Sequence, residues 1–181
     1  MLLTRENSCL LLIDVQEKLA PLVQQADNLM SRCQWLIRLA KDLDVPLLIS
    51  EQYPSGLGLT VESLRTLTPQ SEPVEKIQFS CLREPLFKHH LQILNKKQLV
   101  LAGIETHVCI LQTALDLQEA GYEVFVVVDA VSSRAELDYQ YGLQRMKQQG
   151  VHLVTSEMVF FEWVGQAGTP QFKALSKAYL Q

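Results

Sequence analysis

QLVLAG at Gln98–Gly103 and YEVFVVVDA at Tyr122–Ala130 decide how this chain folds. Both are apolar runs with almost no polar interruption, the pattern of strands buried on two faces rather than one. Between them the pattern turns helical from about Thr106, and Gly121 is placed to end that helix as a left-handed cap. Strand, helix and strand in this order make a parallel crossover unit, and such crossovers are right-handed.

Working outward, the same alternation repeats. SCLLLID (Ser8–Asp14) is a short continuous apolar strand. From about Asp27 to Leu43 the residues Leu29, Met30, Cys33, Leu36, Ile37, Ala40 and Leu43 fall on one helical face. VPLLIS (Val45–Ser50) and a shorter extended piece, Pro73–Ile77, follow on either side of the Pro- and Gly-containing loop EQYPSGLG. Towards the end, Ser133-Arg134-Ala135-Glu136 reads as a capping box opening a helix that stops near Gly150. VHLVT is a last strand, and helical turns fill Glu157 to Leu180. The expected fold class is therefore α/β: a three-layer, doubly wound, mainly parallel sheet of about six strands in one domain spanning residues 1–181.

Composition narrows the function. Sixteen basic against twenty acidic side chains leave a formal net charge of −4 with no block of like sign, which argues against nucleic acid as a partner. The apolar run Cys9–Ile13 is too short to span a bilayer and lacks the flanks of a signal peptide, so no membrane partner is expected. Cys9, Cys33, Cys81 and Cys109 have neither CxxC spacing nor the density of a disulfide scaffold, which points to a reducing, cytoplasmic compartment. After the first strand comes Asp14-Val15-Gln16-Glu17 with no GxGxxG, so the cradle of a dinucleotide-binding domain is missing.

In open parallel sheets, ligands bind beyond the carboxyl ends of the strands. Asp14 closes the first strand, Lys76 lies at the end of the third, and Cys109 falls in the first helical turn after the fourth. With Thr106 as N-cap, Cys109 takes the third helical position, where a helix N-terminus favours a thiolate. Asp14 could then accept the thiol proton, and Lys76 could keep that carboxylate ionised and offset developing negative charge. Each residue alone has an ordinary reading: a turn aspartate, a solvated lysine, a small packing cysteine.

Three stretches together resemble the isochorismatase-like cysteine hydrolases: LLLIDVQEKL around Asp14, EKIQFS around Lys76 and AGIETHVCI around Cys109. SEQYPSGLG and TSEMVFFEW with GTPQFKAL extend the likeness to a subgroup, over about residues 8 to 180. The resemblance implies a sheet in the order 3-2-1-4-5-6, with Asp14 as general base and acid, Lys76 as its electrostatic partner and Cys109 as nucleophile. It also implies a cis Ile104–Glu105 peptide and an oxyanion hole made by the Glu105 and Cys109 amides. The activity it implies is hydrolysis of a small amide-like C–N substrate through a thioester. A non-catalytic binding or scaffolding oligomer on the same fold is the alternative. Nicotinamidases of that family carry an Asp-x-His metal site after the second strand; here Ser50-Glu51-Gln52-Tyr53-Pro54 has no histidine, and neither metal nor other cofactor is expected.

Gln16, Glu51, Gln52, Tyr53, Phe79 and Ile104 are expected to line the substrate pocket, although an ordinary polar turn accounts for the 51–53 stretch equally well. Cys9, Cys33 and Cys81 read as packing residues, although Cys81 follows the Lys76 loop and could lie within the pocket. His107 reads as a pocket wall or structural histidine, because helix positions two apart face different ways. His89 and His90 diverge on a helix and do not suit joint metal binding. Asp129 is read as a cap toward Ser132–Ser133 or as a substrate contact. Phe160, Phe161 and Trp163, with Trp35, exceed what one small core needs on a surface helix; the first three read as either core or a subunit contact, and a homo-oligomer is the favoured expectation.

Overall fold

Six strands form one sheet, all parallel, in the order β3-β2-β1-β4-β5-β6, in a computed structural model whose described residues are 1–180. The strands are β1 (Ser8–Ile13), β2 (Leu47–Gln52), β3 (Val74–Lys76), β4 (Gln98–Ile104), β5 (Glu123–Ser132) and β6 (His152–Val154). The helices are α1 (Ala26–Asp42), the single turns α2 (Pro54–Leu57) and α3 (Glu62–Arg65), α4 (Pro85–Leu94), α5 (Leu111–Glu119), α6 (Glu136–Gln148), α7 (Ser156–Val164) and α8 (Pro170–Tyr179). The chain order reverses between β1 and β4, the place beyond the carboxyl ends of the strands where open parallel sheets bind their ligands.

Strand alternation splits the core into two layers. Leu10 and Leu12 of β1, Val100 and Ala102 of β4, and Phe125 and Val127 of β5 join one cluster with the apolar face of α1 and with Phe160 and Trp163 of α7. Cys9, Leu11 and Ile13, with Leu99, Leu101, Val124 and Val126, join the other against α4, α5 and α6. Because both faces are covered, polar side chains find places only at strand ends. Phe160 and Trp163 are core residues, whereas Phe161 remains half exposed.

Three local expectations change. β2 runs through Glu51 and Gln52, so these residues belong to the strand and not to the loop after it. The Ser133–Glu136 capping box does not form: Ala135 is the N-cap of α6 and makes no side-chain cap bond, because the Ser133 hydroxyl is 3.0 Å from His107 Nδ1 instead. Asp129 accepts from Ser156 N at 2.8 Å and from its hydroxyl, bracing the start of α7 rather than Ser132–Ser133. The β4–β5 pairing shifts register between Leu101 and Gly103, which face Val126 and Val131 on β5.

Candidate active site

The first strand delivers its carboxylate through a sharp turn. Asp14 follows β1 with φ +54°, a left-handed conformation that aspartate tolerates better than most residues. Its backbone N–H donates to Ser50 O, 3.1 Å away on β2. Beside it, Gly103 has φ +123°, and a Cβ there would run into the Ile13 carbonyl. Only glycine lets β4 approach β1 so closely at the reversal point.

Asp14 and Lys76 form an ion pair of 2.7 Å with both side chains fully buried. The other Asp14 oxygen accepts from Ser50 Oγ at 2.7 Å. Lys76 Nζ donates to Asp14 Oδ2 and Gln52 Oε1, both 2.7 Å away, and to Phe79 O at 3.1 Å. Three oxygens thus occupy the three N–H bonds of the ammonium. The Cys109 sulfur is its further neighbour, 3.6 Å away. Burial is the strongest single influence and works against the charge on Lys76, but Asp14 together with the Cys81 and Cys109 sulfurs overcomes it and raises the lysine pKa above its ordinary value.

Cys109 lies in the π-helical turn Thr106–Ile110 that leads into α5, and the preceding Ile104–Glu105 peptide is cis. The N-cap is Glu105, so Cys109 is the fourth residue of the helical segment and not the third. Thr106 is the first residue rather than the cap, and its buried hydroxyl has no hydrogen-bond partner among the described residues. Nor is the thiol acidified. Burial pushes its pKa up, the Asp14 charge adds to that, and the lowering pull of Lys76 does not compensate. All three residues are buried, and Cys109, at 6%, is the most exposed of them, against 0% for Asp14 and 2% for Lys76.

The expected pocket residues divide. Gln52 joins the centre, with Nε2 donating to Ile77 O at 2.7 Å and Oε1 accepting from Lys76. Tyr53 and Phe79 are about half exposed near it. Gln16, Glu51 and Ile104 are buried, and the polar atoms of the first two are engaged within the protein. Gln16 donates to Gln52 O and Gly58 O, at 2.9 and 2.7 Å, and accepts from Gln52 N at 2.7 Å. Glu51 accepts from the Thr60 amide and hydroxyl at 2.6 and 2.7 Å. Their polar atoms fasten the Gly58–Thr60 loop to the sheet, as unpaired polar groups could not be buried there cheaply.

Cys81 is buried behind this centre with its sulfur 3.4 Å from Ser50 Oγ; burial lifts its pKa to about 11. His107 turns from Cys109 towards Ser133 and Asp138. His89 and His90 belong to α4, and no cluster of three or more potential metal ligands occurs among the described residues. Sequence reasoning missed Ser50, which carried no signal beyond its place at the end of an apolar strand. It also missed Arg134, whose Nε and backbone N–H both donate to Glu105 Oε1, at 2.9 and 3.1 Å.

Comparison with known proteins agrees with this architecture. The isochorismatase domain matches residues 8–158. The chain is 43% identical to mouse isochorismatase domain-containing protein 2A over 173 residues, covering 95% of this chain and 82% of that protein. A structure of the MAR1 ribonuclease from Caenorhabditis elegans superimposes with a TM-score of 0.93 at 37% identity, covering 100% of this chain and 93% of that one. The YcaC gene product of Escherichia coli, described as an octameric hydrolase of unknown specificity, gives 0.92 at 26% identity, over 99% and 91% of the two chains. With the sheet order and these matches in agreement, the chain belongs to the isochorismatase domain family.

Proposed function

We propose that this protein is a cysteine hydrolase of a small, amide-like C–N substrate, with Cys109 as nucleophile, Asp14 as general base and acid, and Lys76 as electrostatic partner. One observation carries the reading: a buried Asp14–Lys76 pair ends on the sulfur of Cys109, 3.6 Å from the ammonium, in the residue of the three that is least buried. A raised thiol pKa fits a general-base route in which the proton leaves as the sulfur attacks. Cys109 Sγ adds to the carbonyl carbon while Asp14 takes its proton. The oxyanion is met by the Glu105 and Cys109 amides. Glu105 O accepts from Val108 and Ile110 N–H at 3.1 and 3.2 Å, passing over that of Cys109. Collapse expels the amine, which receives the proton from Asp14. Water then adds to the thioester, giving its proton to Asp14, and the thiolate leaves with that proton.

The ammonium of Lys76 is fully engaged and Arg134 is held by Glu105, so neither offers a free cation to a substrate carboxylate. That favours a neutral substrate. It also weighs, with the net charge of −4, against extending the ribonuclease activity named for the C. elegans protein to this chain. Exposed apolar side chains near the site, Tyr53, Ile77 and Phe79, together with the octameric YcaC relative, support a homo-oligomer. Cytoplasmic residence fits the free state of all four cysteines, and no helix among the described residues is long and apolar enough to cross a membrane.

The test is a panel of small neutral amides with ammonia or amine detection. Cys109→Ala is expected to reduce turnover to background while the fold survives. A wild-type protein that releases nothing from the panel, and whose Cys109 reacts with iodoacetamide no faster than Cys33, fits the non-catalytic oligomer instead.

A further inference from the structure

Gly142 lies in the interior of α6, where glycine is among the poorest helix formers. It is buried, and its helical neighbours on that face are few: along α6 only Gly142 and Met146 are fully buried. A Cβ at position 142 would stand 3.2 Å from both Cα and N of His107 and 3.3 Å from the carbonyl carbon of Thr106. These are backbone atoms of the turn that carries Cys109, so they cannot be relieved by rotating a side chain.

The same connection grips that turn at two more points. Arg134 holds the carboxylate of Glu105 by two hydrogen bonds, and Ser133 Oγ is 3.0 Å from His107 Nδ1. We infer that the β5–α6 segment, Ser133 to Gly142, positions the nucleophile turn, and that Gly142 sets the distance at which the turn rests. Gly142 touches neither substrate nor the reacting atoms; it is a positioning residue that acts through the backbone of Thr106 and His107. An added methyl group displaces that backbone by a few tenths of an ångström between the Glu105 amide and the Cys109 sulfur. Misplacement on this scale costs on the order of tenfold in rate. The inference rests on the hydrolase reading for its effect on turnover, but not for its effect on the thiol.

Gly142→Ala separates this role from an ordinary structural one. Alanine is the better helix former, so a residue concerned only with α6 would give equal or higher thermal stability and unchanged chemistry. The positioning role predicts an unchanged or raised Tm with kcat and the iodoacetamide rate at Cys109 each reduced about tenfold. Both rates within about twofold of wild type would overturn it. Should Gly142→Ala lose stability or fail to fold, Arg134→Ala decides, because that side chain is 62% exposed and its removal leaves the core intact. The expected result there is a fall of about threefold or more in Cys109 alkylation, and an unchanged rate overturns the inference. If wild type hydrolyses no amide, the proposed activity fails, while the alkylation comparison still decides the positioning.

Discussion

The two sides of the β1–β4 reversal hold their functional groups by different means. On the β1–β2–β3 side, Asp14 and Lys76 are fixed by a continuous web in which Ser50, Gln52 and the Phe79 carbonyl supply side-chain or backbone partners. On the β4–β5 side, Cys109 is fixed mainly by backbone shape: the turn after β4, the bare Gly103 and the close passage of Gly142. The difference follows from what is being buried. A charged pair out of water must have its remaining hydrogen-bonding capacity met. A neutral thiol needs only packing and a route for its proton.

The largest effect comes from groups that both sides share. Cys9, Cys33, Cys81 and Cys109 all have thiol pKa values raised from 9.0 by burial. Lys76 is raised from 10.5 by Asp14 against its own desolvation. A raised folded-state pKa means that the unfolded chain loses its proton first. The associated stability is whole below about pH 9 and is lost as pH climbs through the folded values, with a slope approaching ~1.4 kcal/mol per pH unit for each group. Urea unfolding at a series of pH values from 8 upward, in roughly half-unit steps, is expected to give midpoints that fall steadily; a flat profile would remove the thiols from the account.

Lys76→Met sharpens the contrast. It leaves the Asp14 carboxylate buried without its cation, and the expected loss is about 3–5 kcal/mol in urea unfolding together with loss of hydrolysis. A loss below about 1 kcal/mol would mean that the web does not depend on the charge. Gln16→Ala is milder. It leaves buried backbone groups of Gln52 and Gly58 unpaired, at about 3 kcal/mol, with activity lowered through a loosened Gln52.

On the other side the expected effects are smaller. Ser133→Ala deprives His107 of one partner and is expected to cost about 1 kcal/mol by thermal unfolding. If it proved as costly as Gln16→Ala, the view that packing rather than side-chain bonding holds the Cys109 turn would fail. Mass spectrometry after limited iodoacetamide treatment should find Cys109 modified first, as it is 6% exposed against 0%, 1% and 0% for Cys9, Cys33 and Cys81.

By itself the amino-acid order determined the layers and the edge. Apolar runs at Ser8–Asp14, Gln98–Gly103 and Tyr122–Ala130 can be buried on both faces only within a helix-covered parallel sheet. Such a sheet brings the residues ending β1, β3 and β4 to one side, and that is why Asp14, Lys76 and Cys109 were legible together. Tertiary structure alone decided the rest. Whether Gln16 and Glu51 face a ligand or a loop depends on where the Gly58–Thr60 backbone passes, and no periodicity records that. The helical position of Cys109 favours a lowered thiol pKa, whereas desolvation and the Asp14 charge push it up against the pull of Lys76 once the chain closes around them. Ser133 likewise left its expected cap for His107, since local propensity is a weak force and a neighbour brought in from 26 residues away outweighed it.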